Sequence, residues 1–401
     1  MNQKNSNDPS IYNLLNNISN VNELISNSTI QSLLSIILNS IMIKERELFL
    51  NHNPSSKNGF YNRKNFYINS IPIPISIPRT RDSSFFPSII PKYSRVIPDD
   101  YKNLVEALIL SSKSINYLKL TLSKLNLPFK PQQIDQIVND LAQDFKAINS
   151  RELNPDWLFI FADAKNISIK NDKDQIRKGV MITAIGIDMN GYKHFLGSIV
   201  YLGNENLDAW RDLFENIVSR GVRRVLMVIT DNFSGLEKLI KGFFPHCMRQ
   251  LCIVHLIRNA KYRVNKDEYK RFREMIERIE RADSYEEAQK IMDNIIEMVS
   301  ERHKSFGKEL TKDKEKYIEF VRFPKQIRTR IKSNNASENI HSEIEKIRLN
   351  TGGYFQSERI LYAKVGIFIK RLEYEKWRKG EPKIKACLFE LHKMFREVYG
   401  E

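Results

Sequence analysis

The 401 residues are 41% hydrophobic and 28% charged, enough for about two to three domains around a real core. With 64 Lys+Arg against 48 Asp+Glu the net charge is +16, the balance of a protein that meets a polyanion, because neutralising phosphates releases counterions. The three cysteines (Cys247, Cys252 and Cys387) exclude a disulfide framework, the stretch Ile30 to Ile43 falls short of the roughly 20 apolar residues of a membrane span, and the polar start shows no secretory leader, so a soluble intracellular protein is expected.

In chain order, residues 1–29 are rich in Asn and Ser and read as disordered or weakly helical. They open an N-terminal segment, 1–64, in which Ile30 to Asn51 has helical spacing and Asn51 to Lys64 reads as a turn-rich linker. An extended basic arm, 65–97, follows. Its run Ile71-Pro-Ile-Pro-Ile-Ser-Ile-Pro78 alternates apolar residues with proline, which confines it to a sheet edge or an exposed position. The arm continues through Arg79-Thr-Arg81 and Phe85-Phe-Pro to Lys92 and Arg95. Over 98–151 the spacing predicts helices at 99–112, 117–125 and 132–149, with breaks at Pro128 and Pro131. Three short helices suit a helix-turn-helix reader of DNA or a small bundle, and the positive charge favours the first.

From Pro155 the pattern changes. Strands are predicted at Trp157–Asp163, Val180–Asp188 and His194–Tyr201, with Asn190-Gly191 as the turn between the last two. A helix over Leu207–Arg220, a strand Val225–Thr230, a helix Ser234–Phe243 and a strand Arg249–Val254 come next. A three-strand meander followed by alternating helix and strand is the order of a ribonuclease-H-like core. Residues 256–322 are dense in Arg, Lys and Glu with almost no strand signal, and helices recur at 337–347, 357–377 and 383–399. The expected fold class is therefore α/β: a ribonuclease-H-like mixed sheet core with an all-helical insertion, preceded by a helical DNA-binding region. The core occupies 152–258 and 326–401, and the insertion 259–325.

Two apolar runs, Trp157-Leu-Phe-Ile-Phe-Ala-Asp163 and Val225-Leu-Met-Val-Ile-Thr-Asp231, each end on an aspartate. Runs of this length are buried strands, and a carboxylate at a strand end is held rigidly at the sheet edge. Either aspartate alone is better explained by a helix cap. Together, on two strands of one sheet, they point to divalent metal, with Glu338 in the polar stretch Ser333-Asn-Asn-Ala-Ser-Glu338 as a third ligand. Between His246 and His255 lie four potential zinc ligands, with Cys247 and Cys252. A strand through Cys252 to Val254 would turn alternate side chains apart, so zinc is not expected there. Instead Cys252 packs, and His255 at the strand end faces the same cleft as the aspartates.

Several stretches, in order, resemble the Mutator-type transposases of the prokaryotic insertion-sequence branch. Lys57-Asn-Gly-Phe-Tyr-Asn-Arg63 resembles the family's Asn-Gly-Tyr segment, and Ile77-Pro-Arg-Thr-Arg81 with Phe85-Phe-Pro-Ser-Ile-Ile-Pro-Lys92 its Pro-Arg-Asp-Arg region. Asp163-Ala164 matches the first catalytic Asp and Asp231-Asn-Phe-Ser-Gly-Leu236 the second. Gln250-Leu-Cys252-Ile-Val-His255-Leu-Ile-Arg258-Asn259 is the most specific piece, similar to the Cys-x-x-His signature, and Asn335-Ala-Ser-Glu338-Asn resembles the motif of the third carboxylate.

The resemblance implies a DDE-type transposase in which Asp163, Asp231 and Glu338 hold two Mg²⁺ or Mn²⁺ ions for DNA cleavage and strand transfer at terminal inverted repeats. Cys252 and His255 would assist, and Arg258, Arg348, Arg79 and Arg81 would contact DNA. The partners implied are double-stranded element ends and target, bound by a homodimer or higher oligomer without a membrane, in the nucleoid-associated cytoplasm of a prokaryotic host. The chain departs from the family pattern at Asn232, Asn339 and Thr351-Gly-Gly353. The alternatives are a non-catalytic DNA-binding repressor or domesticated relative, and a structure-specific nuclease that cuts without transferring.

Overall fold

The computed structural model describes residues 27–68, 71–90, 99–112, 114–124, 131–171 and 173–400. The expectations for residues 1–26, for Lys92 and Arg95, and for a break at Pro128 lie outside them. Contacts divide the chain into two units, residues 1–108 with 124–127 and residues 109–123 with 128–401, so the segment 98–151 is shared between them.

In the first unit a helix α1 (Asn27–His52) packs on an antiparallel pair, β1 (Lys57–Ile68) and β2 (Ile71–Thr80). Alternate residues Ile73, Ile75 and Ile77 of β2 are buried with Leu38 and Met42 of α1, which gives the Ile-Pro run its apolar face. The turn-rich linker expected over Asn51 to Lys64 is instead mostly strand. Asn58-Gly59 marks an irregularity in the ladder between Lys57 and Phe60, not a turn, and Phe60 and Tyr61 are good strand formers. Arg46 is buried beneath this hairpin and donates to the carbonyls of Asn58 and Arg79, at 3.0 and 3.2 Å. The side chains of Arg79 and Arg81 are exposed.

Helices α2 (Asp99–Ser111), α3 (Ile115–Lys124) and α4 (Pro131–Ser150) stand close to the predicted spans. Next come β3 (Asp156–Lys170), β4 (Ile176–Asp188), β5 (Lys193–Leu202), α5 (Leu207–Ser219), β6 (Arg224–Thr230), α6 (Leu236–Phe243) and β7 (Met248–Leu251). The five strands from β3 onward form one mixed sheet in the order β5-β4-β3-β6-β7. The β3–β4 and β4–β5 pairs are antiparallel, and β3–β6 and β6–β7 are parallel. A helical run follows: α7 (Ile253–Arg263), α8 (Lys266–Arg281), α9 (Tyr285–Ser300), α10 (Lys304–Ile318) and α11 (Lys325–Ile331). The chain ends in α12 (Asn335–Asn350), α13 (Glu358–Arg371), a π turn Leu372–Lys376, a 3₁₀ turn Trp377–Lys379, α14 (Pro382–Lys385) and α15 (Leu388–Tyr399).

Strand alternation divides the core into layers. On β4, Val180, Ile182 and Ala184 face α5 and α6 through Trp210, Phe214 and Ile240, while Met181 and Ile185 meet Ile340, Ile344 and Val365 of α12 and α13. Phe145 of α4 belongs to the second cluster, and Asn149 exchanges two hydrogen bonds with the backbone of Ser198, which fastens α4 to β5. The helical run packs on β3 and β6 through Phe159, Met227, Phe272 and Phe323.

Two buried polar side chains hold these layers. Gln250 of β7 is wholly buried: its amide donates to the carbonyls of Leu251 and Tyr317 and its carbonyl accepts from Phe320 N–H, tying the end of the helical run to the sheet. Gln250→Leu strands these backbone groups, so urea unfolding should show a loss of about 2–4 kcal/mol. Lys364 of α13 is 1% exposed and donates to the carbonyls of Leu110 and Ser112. Burial pushes its ammonium down to about 8 from 10.5. The folded state therefore carries a penalty below pH 8 that fades as pH rises through 10.5. Lys364→Met should gain about 1–2 kcal/mol at pH 7 after the lost hydrogen bonds are deducted, and the gain should vanish in the alkaline range when melting is followed against pH.

Candidate active site

Strand register brings the aspartates together. The parallel β3–β6 ladder ends at Phe161 opposite Ile229, so Asp163 and Asp231, each two residues further on, stand level just beyond the end of that ladder, Asp163 within β3 and Asp231 directly after β6. That end of an open sheet is where ligands bind. Asp163 does not end its strand as expected. β3 runs seven residues further, to Lys170, as a half-exposed ribbon on β4, and its Lys165, Asn166 and Ser168 hid the strand from a search for apolar runs.

The β6–β7 ladder sets Thr230 opposite Leu251, which puts Cys252 level with Asp231 on the other side. The strand predicted through Val254 stops at Leu251, and Cys252 opens α7. Leu251, Cys252 and Ile253 are all buried, so apolar periodicity could not separate strand end from helix start. His255 consequently lies in the first turn of a helix, with Nδ1 2.5 Å from Asp231 Oδ1.

The amino end of α12 closes the site. Asn334, just before it, donates to the carbonyl of Ala162 at 3.1 Å and to Asp231 Oδ1 at 3.3 Å, and its N–H points at Cys252 Sγ, 3.5 Å away. Glu338 sits in the first turn, where the positive end of the helix dipole favours a carboxylate. Its Oε1 is 3.4 Å from Arg258 Nη1, which also lies 3.4 Å from His255 Nε2. One turn on, His341 Nδ1 meets Asp163 Oδ2 at 2.9 Å, with both residues about 5% exposed. Asp163, His255, Arg258, Glu338 and His341 all line one open cleft of about 450 Å³, together with Lys165 and Glu345.

Electrostatics mark the same place. Burial, reinforced by the charge of Asp163, raises the Asp231 carboxyl above its ordinary range against the pull of His255 and Asn334. Burial opposes charge on His255, but its contacts with Asp231 and Cys252 override that and lift it to about 10. Glu205, in the loop before α5, accepts from Trp210 Nε1 at 2.9 Å. It is also raised, by burial and then by the charges of Asp231 and Asp163. Behind the site the buried Arg249 donates to Thr230 Oγ1 and to the carbonyl of Asp231.

Of the residues singled out from sequence, Asp163, Asp231, Glu338, Cys252, His255 and Arg258 converge here. Arg348 is committed elsewhere, bonding both oxygens of Glu345 and the carbonyl of Gly353. Arg79 and Arg81 belong to the other unit. Sequence reasoning missed Asn334, Glu205 and His341. For His341 a signal existed, since Glu338-x-x-His341 puts both side chains on one helix face.

The family model for the Mutator transposases matches residues 9–380, nearly the whole chain. The chain belongs to the Mutator transposase family. It is 25% identical over 323 residues to the transposase of insertion sequence element IS905 from Lactococcus lactis, covering 78% of this chain and 81% of that protein. It is 24% identical over 357 residues to the IS1201 transposase of Lactobacillus helveticus, covering 85% and 94%. Against the transposase of IS1081 from Mycobacterium tuberculosis the figure is 23% over 328 residues, covering 81% and 78%. One departure of this transposase from its family's pattern has a structural role: Asn232, after the second aspartate, donates to Asp313 of α10 at 2.9 Å and ties that loop to the helical run. Among the described residues no helix is long and apolar enough to cross a membrane.

Proposed function

We propose that this transposase binds the terminal inverted repeats of an insertion sequence and catalyses divalent-metal-dependent DNA cleavage and strand transfer on a ribonuclease-H-like core. The observation that carries the proposal is the level placement of Asp163 and Asp231, with Asp163 and Glu338 lining one cleft and Asp231 against its His255. The donors suit a hard cation: three carboxylates, with Glu338 Oε1 and the neighbouring Asn334 Oδ1 buried and without a hydrogen-bond partner. Two Mg²⁺ or Mn²⁺ ions held by Asp163, Asp231 and Glu338 would supply the charge that in-line phosphoryl transfer needs at the attacking and leaving oxygens.

The chain's own residues do the rest. His341 and Asn334 orient Asp163 and Asp231, and Arg258 and Lys165 present positive charge to a phosphodiester entering the cleft. His255 sits beside Asp231 and reaches toward Arg258, a position suited to orienting the scissile phosphate. Arg79, Arg81 and the helices of 98–151 are proposed DNA contacts outside the cleft. Because transposition joins two element ends, we expect at least two copies in the working complex.

Incubating the protein with a duplex carrying the element's ends should give Mg²⁺-dependent nicking at the end, followed by joining of the 3′-end to target DNA. Cleavage without joining would favour a nuclease. Tight binding without any cleavage would favour a repressor.

A further inference from the structure

Cys252 Sγ, His255 Nδ1 and a carboxylate oxygen of Asp231 all lie within 4.8 Å of one another. The backbone explains the cluster. β7 delivers Cys252 at the level of Asp231, and one turn of α7 folds His255 back over it, so Cys252-Ile-Val-His255 is a ligand pair on a single turn. The strand geometry that would have turned these side chains apart is not present. Cys252 is 1% exposed, while Asp231 and His255 are half-buried, and His255 lines the cleft. His255 Nδ1 is buried and approaches Asp231 Oδ1 to 2.5 Å.

We propose that Asp231, Cys252 and His255 form a soft-metal site, selective for Zn²⁺ over Mg²⁺, whose occupancy withdraws Asp231 from catalysis. Thiolate, imidazole and carboxylate are the ligand set of tetrahedral zinc, and three protein ligands leave a fourth position open to water. Mg²⁺ demands oxygen ligands and has no use for the sulfur, so the site discriminates by chemistry rather than by size. Binding releases the Cys252 thiol proton and the His255 imidazolium proton to solvent. A Zn²⁺ ion on one Asp231 oxygen takes that oxygen from Mg²⁺ and sets another dication beside the Mg²⁺ position, so Zn²⁺ antagonises the Mg²⁺-dependent reaction. This inhibitory consequence rests on the function proposed above, whereas the binding itself does not.

Co²⁺ reports on such a site by spectroscopy. Titrating the full-length protein with Co²⁺ should produce thiolate-to-cobalt charge-transfer absorption, abolished by added Zn²⁺ and unaffected by Mg²⁺. Cys252→Ser and, separately, His255→Gln should lose the band, while Cys247→Ser, Cys387→Ser and Asp163→Asn should keep it. In parallel, Zn²⁺ at the concentration that displaces cobalt should suppress Mg²⁺-dependent cleavage by the parent protein. A band that never forms, or that persists in Cys252→Ser, would overturn the site. Cleavage untouched by saturating Zn²⁺ would overturn its antagonism. The cobalt readout decides the site whatever the cleavage assay gives, and Asp163→Asn separates the two claims because it should lose cleavage and keep the band.

Discussion

Asp163→Asn, Asp231→Asn and Glu338→Gln should each lower Mg²⁺-dependent cleavage by about three orders of magnitude, the loss expected when several kcal/mol of metal-held charge stabilisation is removed. Binding to duplex DNA should survive, because the basic residues that supply most of that affinity are untouched. The three substitutions are close to isosteric, so a folding defect is not the expected cause. At Asp231 burial already disfavours the charged carboxyl, which a neutral amide relieves. Gel-shift and nicking assays on the same preparations separate the two effects. Cleavage within tenfold of the parent in any of the three would remove that residue from the site.

The second large effect concerns His341, which we treat as a positioning residue. Its Nδ1 holds Asp163 Oδ2 at 2.9 Å, and its Nε2 is buried with no hydrogen-bond partner. Partners that orient a ligating carboxylate are worth about 10–100-fold in metal affinity. His341→Leu should therefore move the Mn²⁺ concentration for half-maximal cleavage up by that factor, with much of the rate recovered at saturating metal. His341→Asn keeps an amide nitrogen near the position of Nδ1 and should restore part of the affinity. A merely structural role would lower stability and leave the metal dependence where it was, so an unchanged Mn²⁺ midpoint in His341→Leu would refute the assignment.

What the sequence revealed about this site, and what it hid, follows from which forces act locally. Apolar runs ending at Asp163 and Asp231 are local and marked two adjacent strands. That the two carboxylates stand level is a matter of pairing register between strands some seventy positions apart, which no local pattern carries. The charged helices between β7 and α12 were legible because that segment is dense in Arg, Lys and Glu with almost no strand signal, and in the structure Asn265 and Ser284 cap two of them. Strand β1 was misread because Asn58-Gly59, a turn signal in isolation, is absorbed into a paired strand by its partner β2. The start of α7 was misread because a segment buried on every side has no periodicity to read. The contacts of Asn334 and His341 were not legible for a further reason: their partners are a carbonyl and a carboxylate more than a hundred and seventy residues away, although the Glu338-x-x-His341 spacing did mark His341 as facing the site.

The central claim is that Asp163, Asp231 and Glu338 hold catalytic divalent cations, and Mn²⁺ paramagnetic resonance on the protein bound to its end duplex tests it most directly. About two tightly bound ions per chain are expected, with at least one lost in Asp163→Asn and in Glu338→Gln. Mn²⁺ occupancy identical to the parent in all three carboxylate variants would contradict it.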